Sequence, residues 1–197
     1  GAFQPIDNEP VKMPPMKMSF KENKYEPVVE SLRHMRPEVL DKVTQILLMY
    51  LKLGILEESR SETAMVIATP CNQVTGKVRV CMNGVGLNAQ VVLLLSNVPL
   101  HEELHMFVAG KHYLAKYNGR AGYLQIAVAP EFRKYFGITT PIGQFQYTKM
   151  PFGFVNAGAH YQRTMEEHIR EFMNCMRQFI NDTLQANFEF ARYAEVI

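Results

Sequence analysis

Tryptophan is absent from this 197-residue chain, cysteine occurs only three times, and formal net charge is only +2. Each scarcity removes a class of protein. The longest apolar runs, Val91 to Leu95 and Ala64 to Ala68, are one strand long, whereas crossing a bilayer takes about 20 apolar residues, so no membrane partner is expected. Cys71, Cys81 and Cys175 are an odd, widely spaced set, which argues against a disulfide framework and favours buried thiols in a reducing, intracellular setting of unspecified compartment. The first residues lack the basic segment and apolar stretch of a secretory signal. So slight a positive charge is far from the strongly basic balance of a protein that coats nucleic acid and is compatible with a basic groove on one face, so charge alone decides nothing. What is present is a hydrophobic content of 47%, ample for a packed core.

The chain divides by pattern. Pro5, Pro10, Pro14, Pro15, Pro27 and Pro37 interrupt its start, so residues 1–36 are expected to form an extended leader arm lying on the rest of the protein or on a partner. Val39, Leu40, Val43, Ile46, Leu47, Tyr50 and Leu51 then recur at helical spacing, with Gly54 as the stop. Ala64 to Thr69 and Lys77 to Met82 flank a polar turn ending in Gly76 and read as a hairpin. A short helix follows, with Ser96-Asn97 as cap, Pro99 in its first turn, Leu100, Leu104 and Phe107 or Val108 as its apolar face, and Gly110 as its end. Strands are expected at Tyr113 to Tyr117 and Leu124 to Val128, and a further hairpin at Tyr135 to Thr139 with Phe145 to Thr148. Ala157 to Phe172 carries Tyr161, Met165, Ile169 and Phe172 on one helical side, and an Asn-Asp turn joins two last strands, Met176 to Ile180 and Thr183 to Ala186. Helices and strands interleave without a βαβ period, so the fold class is α+β.

Several motifs fall in a recognisable order: Leu53-Gly54-Ile55-Leu56-Glu57-Glu58-Ser59, Gly76-Lys77-Val78-Arg79-Val80-Cys81, Leu87-Asn88, Gly122-Tyr123-Leu124-Gln125-Ile126 and Met150-Pro151-Phe152-Gly153-Phe154-Val155-Asn156-Ala157. In order and spacing they resemble the reverse transcriptases of Ty3/gypsy-type long-terminal-repeat retroelements, from about residue 30 to about residue 190. The resemblance implies a right-hand polymerase fold in which a palm sheet is backed by helices. Residues 37–110 would be a fingers-like region with the start of the palm. Residues 111–197 would be the palm, with a second fingers hairpin at about 130–150, ending after the active-site hairpin and before any thumb.

The chemistry implied is phosphoryl transfer by two Mg²⁺ ions, which need converging carboxylates for ligands and for negative charge. By resemblance, Asn118 stands at the first catalytic aspartate's position, and Asn181 and Asp182 stand at the aspartate pair of the hairpin turn; only Asp182 is acidic. An asparagine brings an oxygen but no charge. Met82-Asn83-Gly84-Val85 falls where the family has valine-aspartate-tyrosine-arginine, so a basic residue expected near the nucleotide's phosphates has become Val85. Arg79, Tyr123, Phe152 and Gly153 persist as remnants of the nucleotide site, while Arg177, Gln178 and Gln185 make the hairpin polar where the family is mostly apolar. Asn and Asp also favour tight turns with no ligand at all.

The implied function is a retroelement-derived domain without polymerase activity and without a cofactor, acting as an RNA- or nucleic-acid-binding platform or as a protein scaffold in a larger assembly. The platform reading expects a basic track of Lys77, Arg79, Lys116, Arg120, Lys149 and Arg163 gripping the phosphates of RNA or an RNA–DNA duplex. The scaffold reading expects the old cleft to be filled by the leader or a partner. An active RNA-directed DNA polymerase fragment using Mg²⁺, with Asp182 helped by Glu102 or Glu166, is the alternative. A third class enters through His101-Glu102-Glu103-Leu104-His105, which matches the H-E-x-x-H pattern of zinc hydrolases, with His101 and His105 as weak metal candidates. Val108 and Lys111 stand where the extended motif needs glycine and histidine, and an ordinary polar helix face accounts for the match.

Overall fold

Pro37 presets a helical φ and starts α1 (Pro37–Lys52), which buries Val43, Leu47 and Tyr50 and stops where Gly54 takes a φ of 63°. This opens the computed structural model, which describes residues 13–189 except 23 and 73; Pro5 and Pro10 lie outside the described residues. Three short strands follow: β1 (Leu56–Glu58), β2 (Met65–Ala68) and β3 (Cys81–Met82). After them come α2 (Val85–Gln90), α3 (His101–Val108) and β4 (Tyr113–Asn118). The hairpin β5 (Gly137–Thr140) and β6 (Gly143–Tyr147), α4 (Ala157–His168), and the hairpin β7 (Met176–Phe179) and β8 (Asp182–Asn187) complete the order.

Two sheets result. The first has the order β1-β6-β5-β2-β3, with β2 and β5 parallel and its other pairs antiparallel; the second has the order β4-β8-β7 and is antiparallel throughout. The core joins the inner face of α1 to the first sheet through Leu47, Met65, Met82, Phe136, Ile138 and Met150. Four methionines, Met16, Met65, Met82 and Met150, are nearly or fully buried and act as the gap-fillers that their flexibility suits.

The described part of the leader, from residue 13, is extended and docked. Met16 bridges Val128, Phe20 bridges Val91 and Val29 bridges Ala64, and Met16 is fully buried. The Glu30 carboxylate accepts hydrogen bonds from the Asn83 amide at 2.8 Å and the Val66 N–H at 2.9 Å, tying the leader to the first sheet.

Some expectations need correction. Leu124 to Val128 is not a strand: Ala121 adopts a φ of 50° and Gly122–Gln125 winds into a 3-10 turn. The period-2 apolar pattern is nonetheless used, since Leu124, Ile126 and Val128 are all buried. Tyr135 and Phe136 belong to a 3-10 segment, Pro130–Phe136, so β5 begins only at Gly137, where a side chain would meet the Thr63 carbonyl. The long helix ends at His168 and continues only as a 3-10 turn, Arg170–Phe172. Ser96 and Asn97 do not cap α3. Instead the Glu103 carboxylate accepts the Leu100 N–H at 3.0 Å, and α3 buries none of its residues. The hairpin between β2 and β3 forms as expected, its turn built by Asn72 Oδ1 accepting the N–H groups of Val74 and Thr75.

Candidate active site on the β7–β8 hairpin

The antiparallel register sets Asn118 of β4 directly opposite Asp182 of β8, and Asp182 opposite Phe179 of β7. Side chains alternate along a strand, so Lys116 shares the face of Asn118, two residues away. All three polar groups meet. The Asn118 amide donates to one oxygen of Asp182 at 2.6 Å, and the Lys116 ammonium donates to the other at 2.9 Å. The lysine hydrogen bond first, and the Asn118 amide after it, hold the Asp182 carboxyl below its ordinary value against partial desolvation.

The turn that presents Asn181 and Asp182 is held from the other side. Ile180 carries its positive φ, 54°, the pattern of a type II′ hairpin turn, but on a β-branched residue for which that region is strained. The left-handed residue is therefore the isoleucine, and not the turn-favouring asparagine beside it. Buried amides hold it there: Gln162 of α4 accepts the Ile180 N–H at 2.7 Å and donates to the Gln178 carbonyl at 2.9 Å, while the Gln178 side chain donates to the Ile180 carbonyl at 2.5 Å. Thr183 donates to Gln178 at 2.6 Å, and Tyr117 donates to Gln185 at 2.8 Å. The polar character of this hairpin is thus a hydrogen-bonded layer between sheet and helix, with Gln162, Gln178 and Gln185 at most 2% exposed. Sequence reasoning noted Gln178 and Gln185 but missed Gln162, whose only signal is a polar residue on the inward side of an otherwise apolar helix stripe.

The other end of the turn is closed by glycine. Gly119 donates its N–H to the Asn181 carbonyl at 2.7 Å, and the Tyr161 ring fills the space that a side chain at Gly119 or Gly122 would need. Tyr123 packs on Phe152 with ring centroids 5.4 Å apart and on Tyr161 at 5.7 Å, so the expected nucleotide-site remnants Tyr123, Phe152 and Gly153 do come together. Gly153, at a φ of 99°, is backed by Met82, whose N–H donates to the Phe152 carbonyl at 2.9 Å. Gly84 leaves no room for a side chain, because a Cβ there would run into the Gly153 carbonyl, which also accepts the Asn88 amide. Val85 opens α2 with 72% of its surface exposed.

The basic residues are spread over several elements. Lys77 and Arg79 are exposed on the approach to β3, and Arg120 is exposed just after β4. Lys116 is engaged by Asp182, Arg163 donates to the Leu95 carbonyl at 2.5 Å, and Lys149 is half-buried in a bridge to Ala127. Of the auxiliary carboxylates, Glu166 accepts from Gln162 at 2.7 Å, on the helix side of the sheet, and Glu102 is exposed on α3. His101 lies against the Phe179 ring at 5.5 Å, and among the described residues no group of three or more His, Cys, Asp and Glu could hold a metal, so His101 and His105 have no third ligand there. The donor set at the hairpin is one carboxylate and two amides, with an ammonium on the carboxylate. It does not fit a pair of Mg²⁺ ions, which need several anionic oxygens.

Two crossed descriptions agree on what this fold is. The family model for reverse transcriptase (RNA-dependent DNA polymerase) matches residues 71–194, and the chain belongs to that family. Its relatives include the enzymatic polyproteins of cauliflower mosaic virus (strain Strasbourg), 26% identical over 137 residues, and figwort mosaic virus (strain DxS), 25% identical over 150 residues. These alignments cover 68% and 74% of this chain but only 20% and 22% of the polyproteins, so the chain spans about a fifth of the relatives it matches. Among solved structures, the prototype foamy virus protease-reverse transcriptase superposes with a TM-score of 0.81 over 93% of this chain and 24% of that one, at 16% identity. The foamy viral enzyme in complex with an RNA/DNA hybrid superposes at 0.80 over 94% of this chain and 24% of that one, at 14% identity. The architecture is accordingly the mixed α+β fingers and palm fold of those structures, a sheet backed by helices, as the motifs imply.

Proposed function

We propose that this domain is a Ty3/gypsy-type, retroelement-derived fingers and palm that has lost polymerisation and kept the ability to hold nucleic acid. The observation that carries the reading is the state of Asp182: its two oxygens face an amide and an ammonium, where phosphoryl transfer would need them facing metal ions. The loss extends to the nucleotide's surroundings. Gly84 and Val85 replace an aromatic and a basic residue, and the Gly153 loop sits where a side chain at 84 would go. No metal or other cofactor is required by this reading.

Support for nucleic-acid holding comes from the frame. The foamy viral structures of the same fold were solved with double-stranded DNA and with an RNA/DNA hybrid, and Arg79 and Lys77 stand exposed on the fingers of this chain, available to phosphates. A scaffold role is the second reading, favoured by the internal engagement of Lys116 and Arg163, which removes two cations from the expected track.

The test is equilibrium binding of a labelled RNA–DNA primer-template and of a structured RNA, titrated from about 50 to 200 mM salt. The expected result is a dissociation constant of about 1 μM or tighter at low salt, a steep loss with salt, and weakening by Arg79→Ala. No binding at low salt would overturn the platform and leave the scaffold.

A further inference from the structure

Positions 118 and 182 face each other directly across β4 and β8. Two carboxylates so placed would repel unless a cation stood between them or one of them took up a proton. Asn118 reverses that sign by turning a donor toward Asp182, and Lys116, on the same face, supplies the positive charge from within the chain. The turn itself is fixed independently by Gln162 and Gln178 on the helix side, where nothing calls for a metal.

We infer that Lys116 is a built-in counter-ion which, with the Asn118 amide, replaces a divalent cation at Asp182, and that Asn118 is the residue deciding between the two kinds of cation. The inference rests on the proposed reading only in taking 118 and 182 as the old metal positions, and nucleotide incorporation is measured separately, so one can fail without the other. A carboxylate at 118 would outcompete the single lysine for a doubly charged ion, because ligand charge sets affinity for hard cations. The lysine's reach is flexible: Lys116 is 64% exposed and can swing away.

The experiment uses the whole chain, Mn²⁺ as the probe read by loss of its free paramagnetic signal, and melting temperature in EDTA against millimolar Mg²⁺. Asp182→Asn measures binding unrelated to the site. Wild type should match Asp182→Asn in Mn²⁺ binding and melt at the same temperature with and without Mg²⁺. Asn118→Asp should bind Mn²⁺ at least about tenfold more tightly than wild type, melt lower in EDTA and recover with Mg²⁺. Folding of Asn118→Asp only when Mg²⁺ is present would support the inference equally. If that variant folds under neither condition, Lys116→Met decides, with Mn²⁺ affinity above wild type expected. A wild-type Mn²⁺ site that Asp182→Asn abolishes would overturn the proposal, as would unchanged Mn²⁺ affinity in both Asn118→Asp and Lys116→Met.

Discussion

The five-stranded first sheet and the three-stranded second sheet are held by different forces. The first buries Met65, Ile67, Met82, Ile138, Phe145 and Tyr147; the second buries Gln178, Thr183, Gln185 and Asn187. Apolar burial is non-directional and tolerates exchange of one hydrophobe for another, whereas a buried amide must find each partner at the right angle or leave it unpaired. The β7–β8 hairpin is therefore positioned by hydrogen bonds from Gln162, and those bonds involve none of Asn118, Asn181 and Asp182. The hairpin's shape is thus set on the face toward α4, while Asn118 and Asp182 meet on the opposite face.

Five substitutions would break or sharpen this contrast. The largest loss is expected from Phe136→Ala in the apolar core, where a fully buried ring packed edge-on to Phe154 at 5.1 Å is removed. A destabilisation of about 3–5 kcal/mol in urea unfolding is the expected cost. Gln162→Leu keeps volume but strands the Ile180 N–H and the Gln178 carbonyl, for about 2–4 kcal/mol, while Met65→Leu in the first sheet should cost less than about 1.5 kcal/mol. Equal small effects of the two would show that the polar layer is not what holds the second sheet. Next, Gly84→Ala should cost about 1–3 kcal/mol by overpacking against the Gly153 carbonyl, measured in the same way.

The smallest effect is Lys116→Met. Lys116 is 64% exposed and Asp182 26%, so solvent screens the pair from the lysine side and the loss at neutral pH should be at most about 1 kcal/mol. Its pH dependence carries the information. The folded-state pKa of Asp182 is lowered, so its contribution is present above the ordinary aspartate value of about 3.9 and fades as pH falls through the lower folded value. The stability gap between wild type and Lys116→Met should accordingly close in acid. A gap that widens there would contradict the assignment.

Much of the frame is legible in the sequence because it follows periodicity and turn chemistry. Val43, Leu47 and Tyr50 mark the inner face of α1, Gly54 its stop, and Asn72 with Gly76 the turn between β2 and β3. The motif order implies that Asn118 and Asp182 stand in one site, and the register of β4 with β8 sets them opposite each other. What escaped was set by tertiary contact. The helix α2 is hidden by Gly84 and Gly86, poor helix formers that are needed because the Gly153 carbonyl and the Val28 side chain press against them. The strand expected at Leu124 to Val128 yields to the turn at Ala121 and to pairing with the leader at Met16. No sequence pattern announces that Gln162 would hold Ile180 in a left-handed conformation, or that Lys116 would reach Asp182, because both depend on which face two distant elements present to each other.

The most direct measurement is single-nucleotide incorporation on a preformed primer-template, with Mg²⁺ and with Mn²⁺, by the wild type and by the Asn118→Asp, Asn181→Asp double variant. The account predicts no incorporation by the wild type, and none by the double variant either, because Gly84 and Val85 are separate lesions. Incorporation by the wild type that Asp182→Asn abolishes would contradict it outright, and robust incorporation by the double variant would reduce the lesion to the two asparagines.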